Sequence, residues 1–176
     1  MVLHSGRVVT TFALQQEDPP VNVSVIVCLY IFKRPVFCVS GRVVNVSSLG
    51  GSWALKDCSP TLQQRFRSED ITEEELVGLM QRFVAESQKG KHKEDGWPET
   101  AYGVSKTGLT VRLKIMILNI LLNACCPGWV RTDMTSDKAT KSPDEGAITP
   151  VYLALLPPGA TEPHGKFVSD KEVQPW

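Results

Sequence analysis

Tyr102 and Lys106 lie four residues apart in Tyr102-Gly103-Val104-Ser105-Lys106. On a helix that spacing stacks a phenol and an ammonium on one face, about one turn from each other. A phenol, with a reference pKa of about 10, is a poor proton donor near neutrality. A cation fixed beside it favours the phenolate and draws its proton chemistry toward the working range. A surface helix also shows this spacing with no chemistry attached, so the pair takes its meaning from its neighbours. Upstream, Arg42 to Val46 reads as a short buried strand that ends in Ser47-Ser48 and runs on into Leu49-Gly50-Gly51. Hydroxyls at the carboxyl end of a parallel strand face the crevice where open α/β sheets bind ligands. Downstream, Ile117 to Cys125 is a second strand-like apolar run. It gives way to Cys126-Pro127-Gly128-Trp129-Val130-Arg131-Thr132-Asp133-Met134, where Pro and Gly force a turn.

The order is strand with Ser-Ser, helix with Tyr and Lys, then strand with Pro-Gly. This order resembles the short-chain dehydrogenase/reductase family, and more closely its vertebrate NADPH-dependent carbonyl reductases. The wording of Gly41–Ser48, Ile71–Met80, Leu121–Met134 and Pro150–Pro158 carries the resemblance, which extends over residues 41–176. It implies an oxidoreductase with NADPH as cofactor, reducing ketones, aldehydes and quinones to alcohols. By the same resemblance Ser48 polarises the substrate carbonyl, Tyr102 protonates the developing alkoxide, and Lys106 tunes Tyr102 and holds the nicotinamide ribose. The chemistry needs a neutral donor on the oxygen, an acid tuned by a cation, and a hydride carrier. Pro127, Gly128, Val130, Arg131 and Thr132 match the segment that lies along the nicotinamide end of the cofactor. Ala101 and Tyr102 match positions that touch glutathione-type ligands, which implies glutathione conjugates among the substrates. Trp129 and Met134 are expected to line the substrate cleft together with Ser48.

Two departures from the family pattern stand out. Residues 1–40 hold one glycine, Gly6, and no glycine-rich turn that would bring backbone amides to a pyrophosphate. They read as a leader unrelated to the family, so the chain is expected to be an N-terminally truncated or alternatively spliced form. A relative with its full cofactor half would be longer by about 100 residues. The second departure follows Lys106. Thr107 to Asn119 must hold both the rest of a helix and the connection to the next strand, yet thirteen helical residues alone span about 20 Å. Either the helix is cut short or the strand begins late.

Composition bounds the rest. The chain has 176 residues, 42% of them hydrophobic, and 19 basic against 19 acidic residues. This suits one ordinary domain, and a net charge of zero offers no basic footprint for nucleic acid. Five cysteines (Cys28, Cys38, Cys58, Cys125, Cys126) form no metal pattern, and their odd number suits a reduced, cytoplasmic setting. Cys126 beside the cleft reads either as a reactive thiol or as an inert buried one. His4, His92 and His164 are scattered and suggest no metal. Val21 to Phe32 is too short to span a membrane, which takes about 20 residues, and its Val, Ile and Tyr favour a strand.

Residues 57–99 read as a helical insertion between the serine strand and the Tyr–Lys helix. Pro60 to Ser68 is one helix with Pro at its start. Thr72-Glu73-Glu74-Glu75 caps a second that runs to about Lys89 and stops at Gly90. Lys91 to Gly96 is a charged turn. In the family this insertion covers the helix through which other members pair, which implies a monomer. Ser142 to Ala154 reads as a further helix, Gly165 to Ser169 as the final edge strand, and the rest as a polar tail to Trp176.

The expected fold is α/β: the second half of a Rossmann-type, doubly wound parallel sheet, with three strands flanked by helices and one edge uncovered. Residues 1–40 are expected to be irregular or to add a strand or two. Three readings of function remain open. One is a carbonyl reductase weakened by its missing cofactor half. Another is a catalytically inactive isoform or fragment acting through protein binding. The last is a membrane-associated protein held by Val21–Phe32.

Overall fold

The computed structural model describes residues 12–14, 25–27, 42–115 and 121–176. Its centre is β4 (Leu121–Cys126), six residues that are all buried. A strand buried on both faces reads as a continuous apolar run, as parallel strands between two helical layers do. On one face Leu122, Ala124 and Cys126 pack with Leu113 and Phe167. On the other, Cys125 packs with Val168 and Leu153. Leu113 comes from α4 (Ala101–Ile115) and Leu153 from α5 (Pro143–Ala154), so the sheet has a helix on each side.

Two parallel neighbours flank β4. β3 (Arg42–Val46), rich in β-branched valine, pairs with it so that Arg42 lies opposite Leu121 and Val46 opposite Cys125. β5 (Phe167–Ser169) pairs on the other side, with Ser169 opposite Cys126. β6 (Glu172–Gln174) closes the sheet antiparallel to β5, giving the order β3-β4-β5-β6. Three parallel strands with helices on both faces are the half-sheet expected from the sequence.

The final edge departs from expectation. Asp170 and Lys171 take positive φ values of 51° and 64°, the primed-turn geometry that folds a chain back as a two-residue hairpin. The supposed polar tail thereby becomes β6, and Phe167–Ser169 is an inner strand. Trp176 then packs on Phe167, ring centroids 5.4 Å apart.

The insertion forms as its caps predict. Ser59 caps α2 (Pro60–Arg67), and Thr72 caps α3 (Glu73–Gln88) by accepting from the Glu75 N–H. Gly90 follows with φ of 69°. Phe66, Ile71, Leu76, Phe83 and Trp97 from this region form one core with Val104 and Val111 of α4. The bidentate pairing of Arg65 with Glu75 ties α2 to α3. A helix not expected from the sequence, α1 (Leu49–Asp57), leads into this unit.

The connection after Lys106 resolves in favour of a late strand. α4 continues to Ile115, and β4 starts at Leu121 rather than Ile117. In the leader, β1 (Phe12–Leu14) and β2 (Val25–Val27) pair antiparallel, with Phe12 opposite Val27. The remainder of the apolar stretch 21–32, with Cys28 and Cys38, lies outside the described residues. Among the described residues, no helix is long and apolar enough to cross a membrane.

Candidate active site

Ser47 and Ser48 leave β3 at its carboxyl end, beside the carboxyl end of β4. The Ser47 N–H makes the last rung of the ladder, donating to the Cys125 carbonyl at 2.7 Å. Ser48 turns the chain into α1 as its N-cap, and its Oγ accepts from the Gly50 N–H at 3.0 Å. Capping uses the hydroxyl as an acceptor, so its hydrogen is left to donate elsewhere.

Glycine controls how α4 reaches this point. A Cβ on Gly51 would stand 2.8 Å from the Lys106 carbonyl carbon and from the Thr107 nitrogen. One on Gly103 would stand 2.5 Å from Ala54 Cβ. Each helix thus lays a glycine against the other, and the backbones of α1 and α4 approach closely. Thr107 fastens the contact by donating from Oγ1 to the Gly51 carbonyl at 2.8 Å. This approach lays the Tyr102 ring over the start of α1. A Cβ on Gly50 would lie 3.3 Å from both Ser48 Oγ and Tyr102 Cε1, so serine and phenol flank one small notch.

Lys106 sits one turn along α4 and is only 8% exposed. Its Nζ donates to the Val46 carbonyl at 3.0 Å and lies 5.6 Å from the Tyr102 ring centroid. Odd-numbered residues of β3 face β4, so the Val46 carbonyl points away from that strand and is open to the ammonium. A buried ammonium needs such partners to offset lost hydration. At 5.6 Å its charge also acts on the π face of Tyr102. Ser48, Tyr102 and Lys106, spread over a span of 58 positions in the sequence, thus share one end of β3.

The segment after β4 forms a second wall. Gly128 has φ of 85°, and a Cβ there would strike the Lys141 side chain at 2.8 Å. Val130 is seated on Gly146 of α5, where a Cβ would meet Val130 Cγ2 at 2.4 Å. A parallel bridge fixes the loop, with the Arg131 N–H donating to the Lys141 carbonyl and the Lys141 N–H to the Trp129 carbonyl. The Arg131 guanidinium closes it by donating to the Ala139 carbonyl at 2.8 Å. The Thr132 N–H donates to Thr135 Oγ1. Trp129 and Met134 stand exposed on this loop, and Ala101 is half-buried at the start of α4. Pro127 leads the chain out of β4 toward this wall.

Cys126 points inward, not into the cleft: it is 5% exposed, packs in the core, and its Sγ accepts from the Gly128 N–H. Burial pushes the neighbouring Cys125 thiol up to about 12 and the Cys58 thiol up to about 11. Among the described residues, no cluster of His, Cys, Asp and Glu suits a metal ion.

The fit to a nicotinamide cofactor is divided. Lys106 beside Tyr102 suits ribose hydroxyls, and the Lys141 bridge does not use the Val130 N–H, leaving it for an amide acceptor. A pyrophosphate cradle is another matter. Among the described residues the strand-to-helix turn with adjacent glycines is Leu49-Gly50-Gly51, and α4 fills the space beside Gly51. The residues present therefore fit the nicotinamide end of NADPH.

Gly51, Gly103, Thr107 and Thr110 carry no obvious chemistry in the sequence, yet they set the geometry. The available signal was small and hydroxylated residues at 103, 107 and 110, spaced to share one face of a helix.

Comparison with known proteins identifies relatives of the chain. The chain is 64% identical over 151 residues to the rat protein carbonyl reductase (NADPH) 1, a match covering 81% of this chain and 54% of the relative. The human protein of that name is 62% identical over the same shares. Among solved structures, salutaridine reductase from Papaver somniferum superimposes with a TM-score of 0.64 at 30% identity, covering 73% of this chain and 45% of that one. Menthone neomenthol reductase from Mentha piperita gives 0.56 at 30% identity, covering 77% and 43%. No protein-family model matches the chain. The chain spans about half the length of the curated relatives it matches. With this identity over four fifths of its residues and a half-sheet shared with solved reductases, the chain belongs to the short-chain dehydrogenase/reductase family, as a homologue of the NADPH carbonyl reductases.

Proposed function

We propose that residues 41–176 form the nicotinamide half of an NADPH-dependent carbonyl reductase site, with residues 1–40 as a leader unrelated to the family. The observation that carries this reading is the convergence of three groups. Tyr102 and Ser48 flank the notch at Gly50, and Lys106 lies 5.6 Å from the phenol ring. A ketone, aldehyde or quinone oxygen entering the notch takes a hydrogen bond from Ser48 and a proton from Tyr102. The Lys106 ammonium offsets the negative charge left on the phenol oxygen. NADPH, when bound, supplies the hydride. Lys106 and the segment Pro127, Gly128, Val130, Arg131 and Thr132 hold its nicotinamide end. Trp129, Met134 and Ala101 form the substrate wall, and glutathione conjugates are among its ligands. The protein acts as a cytoplasmic monomer, with the packing of α2 and α3 on α4 favouring the monomeric state.

Cofactor affinity is the weak point of this site. Pyrophosphate contacts supply much of dinucleotide affinity through a helix N-terminus and close backbone approach. With the nicotinamide end alone, NADPH binding is expected to be several orders of magnitude weaker than in a complete relative. Fluorescence titration of the purified chain with NADPH tests this. Saturable binding that weakens in Lys106→Ala supports the reading, whereas no binding at millimolar NADPH, or binding indifferent to Lys106→Ala, removes it. One observation favours a second reading, in which the chain is inactive and binds protein. The Val44 N–H and carbonyl point away from β4, and β3 pairs with no other described strand.

A further inference from the structure

Beneath the proposed site lies a buried pair of hydroxyls with no assigned role. Ser47 is 2% exposed and Thr110 3%. Their oxygens are 2.7 Å apart, and each lies 3.1 Å from the Lys106 carbonyl oxygen. Two hydroxyl hydrogens serve three contacts. One hydroxyl therefore donates to the Lys106 carbonyl while the other donates to the first. Either way two of the three contacts are hydrogen bonds, and both hydrogens are used within this triangle of oxygens.

Its location matters more than its internal bonding. Ser47 is the residue before Ser48, and its own N–H makes the last rung of the β3–β4 ladder. Thr110 is one turn beyond Lys106 on α4. The triangle thus joins the strand end that carries Ser48 to the helical turn that carries Lys106, through the Lys106 backbone itself. Nearby, Lys106 Nζ reaches the Val46 carbonyl. Lys106 is consequently gripped at both ends, by its carbonyl and by its ammonium, on consecutive residues of one strand end.

We propose that Ser47 and Thr110 are positioning residues, a hydroxyl clamp that sets Lys106, and through α4 also Tyr102, against Ser48. The proposal rests on the reductase reading for its purpose, but its geometry is open to test without turnover. Apolar replacements, Ser47→Ala and the isosteric Thr110→Val, break the triangle, whereas Thr110→Ser keeps its hydroxyl.

The test is native-state reductive methylation of the full chain, quantified peptide by peptide. Lys106 is the probe, exposed Lys56 is the control for reagent, and alkylation of fully buried Cys125 reports general loosening. In Ser47→Ala and Thr110→Val, Lys106 methylation is expected to rise severalfold while Cys125 stays protected. Thr110→Ser is expected to return Lys106 to the wild-type rate. Unchanged Lys106 methylation overturns the clamp. So does a parallel rise at Lys106 and Cys125, which is what a merely structural role predicts. In parallel, NADPH titration of Ser47→Ala is expected to show binding weaker by about tenfold, the scale of one lost hydrogen bond. That loss is expected to vanish in a Lys106→Ala background, and a loss that persists there overturns the clamp. If wild type binds no NADPH, the reductase reading fails and methylation alone decides the clamp.

Discussion

Ser48 has two duties, and they separate by substitution. Its oxygen caps α1 by accepting from the Gly50 N–H, while in the proposed reaction its hydrogen donates to a substrate carbonyl. Ser48→Ala removes both, with a capping loss of about 0.5–2 kcal/mol. Ser48→Gly keeps helix initiation within about a few tenths of a kcal/mol and still removes the donor. Thermal melts are thus expected to distinguish the two variants, while carbonyl reduction assays find both equally impaired. Tyr102→Phe removes only the proton donor, because the ring that lies over Gly50 is retained. Its turnover is expected to fall about 10²- to 10⁴-fold, with NADPH affinity almost unchanged. A Tyr102→Phe variant that keeps wild-type turnover would remove the phenol from the chemistry. The candidates themselves were legible in the sequence, Tyr102 and Lys106 from their helical spacing and Ser48 from the family resemblance, since each carries a functional group. The Ser47–Thr110 clamp was not, because a buried serine and threonine look like ordinary packing until their shared partner is seen.

Elements with strong local signals were legible because their ends are marked by capping residues. The Thr72 cap announces α3, and Ser142 with Glu145 forms the capping box of α5. α1 was hidden because Leu49-Gly50-Gly51 reads as a turn, and glycine is a poor helix former. Tertiary contact overrides that propensity: α1 needs glycine where α4 presses on it. β6 was hidden because Glu172-Val173-Gln174 has little β character, and the Asp170–Lys171 turn creates it. This account of α1 predicts opposite effects for two glycines. Gly51→Ala places a Cβ 2.8 Å from backbone atoms of α4, and overpacking of this kind costs about 1–3 kcal/mol. Gly78, in α3, has nothing within 4 Å of a built Cβ, so Gly78→Ala should gain about 0.5–1 kcal/mol. At this chain length each kcal/mol moves Tm by about 2–4 °C. Differential scanning calorimetry is expected to show Gly51→Ala below wild type and Gly78→Ala above it. A Gly51→Ala protein as stable as wild type would mean that α1 and α4 can separate without loss.

At the scale of the whole molecule, the half-sheet depends on groups that titrate in opposite directions, which sets its working pH. On the alkaline side are Cys58 and Cys125. Burial raises both thiols, helped by the charges of Asp57 and Cys126 respectively, from an ordinary value of 9.0 to about 11 and about 12. Each keeps its proton in the folded chain at pH values where the unfolded chain has lost it. Their contribution is therefore intact below pH 9.0 and is lost progressively as pH climbs toward 12. On the acid side, hydrogen bonds from Arg65 hold the Glu75 carboxyl below its usual value, and Ser68 and then Arg65 do so for Asp70. Arg82 acts likewise on Asp95, and Lys141 on Asp170. These carboxylates stabilise the fold above their unfolded values, and the contribution disappears as pH falls through the folded ones. Asp70 and Asp170 are exposed and Glu75 and Asp95 half-buried, all within reach of salt screening, so the acid limb is expected to be shallow and to flatten at high ionic strength. The alkaline limb arises in the core and is expected to be steep and indifferent to salt. Melting curves from pH 3 to 11 at two salt concentrations read both limbs, and Cys125→Ala assigns the alkaline one. An alkaline limb unchanged in Cys125→Ala would move its origin away from β4.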